Sequence, residues 1–440
     1  MGHCGGAAIP AAGGPQGPRP SRSGLGTTVH APAVTLPSFQ AVWYAHRFAR
    51  EVVLIYPVYA VMMTENVSEF AFATLLAFWS ASVLFAEIPS GTLADRVSRV
   101  RLIGLSDIIK GVGFLCWFLL PSYGGYLLGF VLWGVGSTLR SGTEEALLHD
   151  TLHKLSAPER FEQIHGRGAA AGSLGTIVAF LGGGYLAEHS GFALPLVLST
   201  LGPWIAAAIA WLGLKDVPRT GPPPQEHEAY FDTLRAGVRE AVGRPLVLRV
   251  VLMTASIACI WGLMDEFMPV FLTEKGGVTL FDIGIVYAAS SGANVIAVAL
   301  AHRIPARTPR RVAAVFGVAA VFLALSVPTS GYVAAAALVI SFGINGAASV
   351  LLTGQLQRAI KGHARATVTS VAGTGAELTG ISLALAGGGA AELADWHTTT
   401  TFFAALALLL AAVFVMRGIG GTPDDERAPV SRQRRQPPFP

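Results

Sequence analysis

The chain has 440 residues, 52% apolar and only 13% charged, against roughly 25% charged in soluble domains, which excludes an ordinary soluble enzyme. Its 31 Lys and Arg exceed 27 Asp and Glu by four and the pI is about 9.0, but a mean hydropathy of +0.54 leaves no large solvated basic face for nucleic acid. A protein of the lipid bilayer is the class that remains.

In chain order, residues 1–40 are rich in Gly, Pro, Ser and Ala and lack the apolar h-region of a signal peptide. They are expected to form a disordered cytoplasmic tail, with the first span acting as the signal. A bilayer core takes about 20 helical residues. Twelve apolar runs approach that length. The first six run Trp43–Met63, Phe70–Ser90, Leu102–Leu120, Tyr123–Leu147, Gly166–Ala187 and Phe192–Leu214. Residues 215–245 form the longest internal break, in which Tyr230–Val242 has the spacing of an amphipathic helix lying on the inner membrane surface. Six more runs follow: Val247–Leu272, Phe281–Ala301, Val312–Val327, Tyr332–Gln355, Ala366–Ala390 and Thr400–Val415. Residues 418–440 are a second disordered tail. The expected fold is therefore all-α, with two six-helix bundles at 41–214 and 246–417.

Placing both termini in the cytoplasm leaves Lys275 as the one Lys or Arg of the 31 on the outer side, in accord with the positive-inside bias. The halves also repeat. Gly182-Gly183-Gly184-Tyr185-Leu186-Ala187-Glu188 recurs as Gly387-Gly388-Gly389-Ala390-Ala391-Glu392, and Pro57-Val58-Tyr59 as Pro269-Val270-Phe271. Parallel repeats joined by a long central loop create a site between the halves that opens to either side by rocking.

The loop after the second run reads Gly91-Thr92-Leu93-Ala94-Asp95-Arg96-Val97-Ser98-Arg99-Val100-Arg101. It resembles the signature of the major facilitator superfamily, departing from it at Ser98 and Val100. Glu87 in the lead-in, and Ser141 to Asp150 after the fourth run, resemble a bacterial branch of that superfamily with many presumed drug exporters. The resemblance implies a cytoplasmic latch. Asp95 would accept backbone N–H groups at a helix start. Arg96, beside Arg99, would pair with Glu144, Glu145 or Asp150, and Gly91 would permit the tight approach.

An ionisable group within a span costs about 2.5 to 3.5 kcal/mol, so each needs a reason. Glu377 sits near the middle of its run and is the first candidate to carry a proton. Asp265 and Glu266, on neighbouring faces of the seventh run, are candidates for a proton or a cationic cargo. Glu51 and Arg140 are expected to form a buried pair, and Asp107 and Lys110 to neutralise one another. Asn294, Asn345 and Gln355 are candidates to hydrogen-bond cargo, with Tyr59 and Trp261 among the aromatics (Tyr56, Phe78, Trp79, Trp133, Phe267) that would supply an apolar cavity wall.

No phosphate loop is present, so ATP is not the expected energy source. Cys4, Cys116 and Cys259 lack disulfide or metal-site spacing. No cofactor, metal or enzymatic activity is expected. The reading is a monomeric multi-pass protein of a bacterial cytoplasmic membrane that exports a small amphipathic compound in exchange for protons. The rivals are an importer of a metabolite and a non-transporting receptor or scaffold.

Overall fold

The computed structural model describes residues 35–217, 245–304, 308–359 and 365–417. Side chains at 88–89, 91–92, 94–95, 245–250, 309, 355–359, 365–372 and 417 lie outside that description. The described residues are helical throughout: α1 (Leu36–Glu51), α2 (Tyr59–Thr64), α3 (Glu69–Arg96), α4 (Arg99–Leu119), α5 (Tyr123–Arg140), α6 (Thr143–Lys154), α7 (Phe161–Ser190) and α8 (Ala193–Gly213) in the first half. The second half contains α9 (Pro245–Glu274), α10 (Leu280–Leu300), α11 (Pro309–Ser326), α12 (Gly331–Ala359), α13 (Arg365–Leu393) and α14 (Trp396–Arg417). The amphipathic segment Tyr230–Val242 and both tails beyond these limits lie outside the described residues.

Eight of these helical segments are long and apolar enough to cross a membrane, from Glu69–Glu87 to Trp396–Met416. Three of the twelve expected runs differ in form. The first is not one helix but two. Pro57 lacks an N–H and crowds the carbonyl four residues before it, so the chain turns through Val52–Val58 between α1 and α2. The Ser199 hydroxyl accepts the freed Ile55 N–H at 2.9 Å. The first helix also begins at Leu36, inside the expected tail, where Thr35 and Ser38 form a capping box and Pro37 fits the first turn. The fourth run ends at Arg140 rather than Leu147. Gly142 takes φ +72°, where a side chain would be strained, and a separate helix, α6, follows. The twelfth, short in sequence, is lengthened to 22 residues as α14.

Within the first half, α4 lies between α5 and α8, and α1 packs on α7 and α8. In the second, α12 packs on α10 and α11, and α9 on α12, α13 and α14. Three helix pairs join the halves, α3 with α13, α7 with α10 and, less extensively, α2 with α9. A Cβ at Gly183 would strike the carbonyl of Leu54, so glycine there admits the broken first span against α7.

Candidate functional site

The break after α1 places Arg50 and Glu51 at a helix end facing the interior of the first half. A cavity of about 230 Å³ opens there, bounded by Arg50, Glu51, Tyr56, Lys110, Ser137 and Arg140, with Trp79 and Trp133 on its apolar side. Irregular backbone is tolerated at membrane depth where it lines such a space.

Behind the cavity is a buried ionic network. Arg50 Nη1 donates to Glu144 at 2.7 Å, and its Nη2 lies 3.5 Å from Asp107 and its Nε 3.5 Å from Glu51. Arg47 reaches the second oxygen of Glu144 at 2.5 Å, and Arg140 the same oxygen at 3.5 Å. His46, wholly buried, bonds Asp107 at 2.8 Å. Burial alone would raise the Glu144 pKa, but Arg50, Arg140 and Arg47 outweigh it and hold the carboxyl at about 2.

This geometry corrects two expected pairings. Arg140 finds its ion pair at Glu144 rather than Glu51, because α6 turns that carboxylate back under α5. Asp107 serves His46 and Arg50, while Lys110 lies over the Tyr56 ring at 5.3 Å and donates to the Arg50 carbonyl at 3.4 Å. Arg96 is exposed, and Glu144 is shared by Arg47, Arg50 and Arg140. Arg99 pairs with Asp150 and also donates to the Ala146 carbonyl at 3.1 Å, tying α4 to α6. Glu145 and Glu87 are exposed. Gly91 lies on α3 and its environment, like the Asp95 side chain, lies outside the described residues. Ser98, where the signature has glycine, caps α4 by accepting the Arg101 N–H at 3.1 Å.

The second half contributes acids. A cavity of about 300 Å³ between the halves is lined by Asp265, Glu266 and Glu377 together with Trp79, Ser80 and Cys259. Glu377 lines this cavity together with Ser80 of the opposite half. Asp265 also borders a third space of about 290 Å³, between α7 and α10, with Thr176, Tyr287, Ser290 and Asn294. The three membrane acids, separated by as much as 112 positions in sequence, thus share one chamber.

Of the expected aromatic wall, Tyr56, Trp79 and Trp133 line the first cavity. Tyr59 and Trp261 do not belong to it. Tyr59 is packed among Phe72, Trp117 and Phe130, and Trp261 is 3% exposed with its indole N–H donating to Ser341 at 3.1 Å. Phe267 is also core, and Phe78 is 47% exposed on the outside of the bundle. Asn345 is half-buried with a buried, unpartnered Oδ1. The Gln355 side chain lies outside the described residues.

The α7–α10 and α3–α13 joints between the halves are closed at one end by the same device. On α7, Gly184 admits the start of α10, and Glu188 accepts the Leu280 N–H at 2.9 Å. On α13, Gly388 admits the start of α3, and Glu392 accepts the Phe70 N–H at 3.1 Å. A carboxylate at a helix N-terminus meets both an unsatisfied donor and the positive end of the helix dipole. Lys275 caps α11 by donating to the carbonyls of Val327 and Thr329 at 2.6 and 2.7 Å. The sequence reading missed the roles of Arg47, His46, Glu188 and Glu392. The repeated glycine run followed by Glu was the signal for the last two.

The family model of the Major Facilitator Superfamily matches residues 47–384, and the chain belongs to that superfamily. It is 28% identical over 268 residues to the Enterobactin exporter EntS of Shigella boydii serotype 18, a match covering 58% of this chain and 61% of that one. The same extent and identity hold for the Enterobactin exporter EntS of Escherichia coli O1:K1. The chain therefore spans about three fifths of the length of the curated relatives it matches. In fold it is similar to a bacterial homologue of the human lysosomal transporter Spinster in an inward-facing and occupied conformation, with TM-score 0.67, 17% identity, and 87% and 95% of the two chains covered. The nucleoside transporter NupG gives TM-score 0.66 at 14% identity, covering 86% and 98%.

Proposed function

We propose that this chain is a twelve-span secondary transporter that exports a small amphipathic compound in exchange for protons. In this reading α1 and α2 together form the first span, α5, α11 and α13 complete the set of twelve, and both termini are cytoplasmic. The observation that carries it is the chamber between the halves, where Asp265, Glu266 and Glu377 stand together without an ion pair among the described residues. A carboxylate that holds either a proton or a cationic cargo, never both, couples the two movements in opposite directions. The paired carboxylate contacts of Glu188 and Glu392 with helix starts of the opposite half support a state closed at that end, the outer one in this reading. Resemblance to exporters over part of the chain favours export above import.

The test is proton flux in inside-out vesicles energised with a pH gradient, with cationic, neutral and anionic amphiphiles added to wild type and to Glu377→Gln. Collapse of the gradient by some compounds, abolished in the variant, supports the reading. Substrate movement that dissipates no gradient sinks proton exchange.

A further inference from the structure

The first-half cavity and the network behind it carry one more cation than acid, since Arg47, Arg50, Lys110 and Arg140 meet only Glu51, Glu144 and Asp107 there, with Glu51 the acid that lines the cavity beside Lys110. Lys110 is buried, and no carboxylate lies within 4.0 Å of its ammonium among the described residues. Arg140 reaches Glu144 through one nitrogen at 3.5 Å, and its buried Nε has no partner. The second-half chamber holds the complement, since Asp265 and Glu266 border it without a cation within the same distance among the described residues.

The two spaces are neighbours. Trp79 forms part of the wall of both, and it packs 6.0 Å from Trp133, which stacks at 5.3 Å on Tyr56. Bases of one half and acids of the other therefore face each other across an aromatic wall.

An uncompensated charge in a low-dielectric site is costly, and a group of opposite sign removes that cost where it docks. A singly charged ligand serves one wall and leaves the other bare. We propose that the cavity binds compounds carrying an acidic group and a basic group at opposite ends of an aromatic amphipathic body. The acid would lie toward Lys110 and Arg140, and the base toward Asp265 and Glu266. This names the cargo class of the transport reading given above and rests on it.

The experiment is equilibrium binding of fluorescent probes to the full chain in lipid nanodiscs, without a gradient. The probes are Nα-dansyl-lysine, its methyl ester, which lacks the acid, and its Nε-acetyl form, which lacks the base. The same three derivatives of ornithine vary the spacing of the charges. At least one doubly charged probe is expected to bind about tenfold more tightly than both of its blocked forms, a modest value for close charge pairs. Lys110→Gln should bring that probe down to its methyl ester and leave the ester unchanged. Glu266→Gln should bring it down to its acetyl form. Equal binding of a doubly charged probe and its blocked forms, or no binding by either doubly charged probe, overturns the proposal. Should a variant fail to fold, the wild-type comparison decides alone.

Failure of the transport reading looks different. Charge-selective binding without gradient-driven exchange removes export and leaves the ligand class. Exchange of singly charged probes as fast as doubly charged ones removes the ligand class and leaves export.

Discussion

Replacing both Glu188 and Glu392 by alanine should open the outer gate. Each carboxylate accepts one backbone N–H at the first turn of a helix in the opposite half, at 2.9 Å to Leu280 and 3.1 Å to Phe70. Both acids are exposed, so each loss is that of a surface helix cap, about a fivefold change in the ratio of closed to open. The latches are on different helix pairs and share no residue, so the two factors should multiply to about 30-fold, enough to bring a 97:3 mixture to about 1:1. The assay is pulsed electron spin resonance between labels at Ser122 and Ser330, exposed positions on outer turns of opposite halves. The single variants should each move the distance distribution partway toward longer distances, and the double variant farther. Salt should mimic part of the effect in wild type, because the dipole contribution is screened. A folded double variant with an unchanged distribution would refute the latch argument, as would a shift produced by one site and absent at the other.

Glu144→Gln should destabilise the first half by about 3 kcal/mol or more, since it removes the carboxylate charge shared by Arg47, Arg50 and Arg140 and leaves only Arg50 with other acids, whereas Glu145→Gln on the exposed face should cost under about 0.5 kcal/mol. Thermal unfolding in detergent compares the two. Glu144, held at about 2, is depressed from its unfolded value, so its contribution is present above about 4.5 and fades only as the pH falls toward 2. Any pH dependence of exchange between pH 5.5 and 8 should therefore survive in wild type with no inflection from this residue, and an inflection removed by Glu144→Gln in a folded protein would contradict that. Gly388→Leu puts a branched side chain into the approach of α13 to Ala73 on α3, and should hold the outer ends apart. Labels at Ser122 and Ser330 should report the open distribution, and an unchanged closed one would count against the close approach.

An all-helical chain with several membrane-length spans was readable because the bilayer imposes one-dimensional rules. A span must be apolar over a set length, and Lys and Arg collect on one side. The broken first span was half legible: Pro57 announced a defect, but its placement depended on Ser199, 144 positions away from Ile55, which supplies the acceptor for the freed N–H. The fourth run ran too far because apolarity continues through Leu147 and Leu148, which are buried in a separate cluster with α4 and α7 rather than in a continued helix. The Gly142 turn overrides that pattern.

Side-chain partners were less readable because charge alone does not say which opposite charge is nearest. Glu51, Glu144 and Asp107 each offered Arg50 and Arg140 a plausible match. The choice was made by α6, which folds Glu144 back to where Arg47, Arg50 and Arg140 converge.

The same division holds for the chamber. The chain's hydropathy, charge bias and signature loop lead to a bilayer protein of two related halves with acids inside it, since these depend on composition and local spacing. That Asp265, Glu266 and Glu377 meet at one space, that Lys110 and Arg140 face it from the other half across Trp79, and that Glu188 and Glu392 cap each other's neighbouring helices depend on which helices pack together. Such contacts are set by close packing between segments far apart in sequence, and no local pattern encodes the partner.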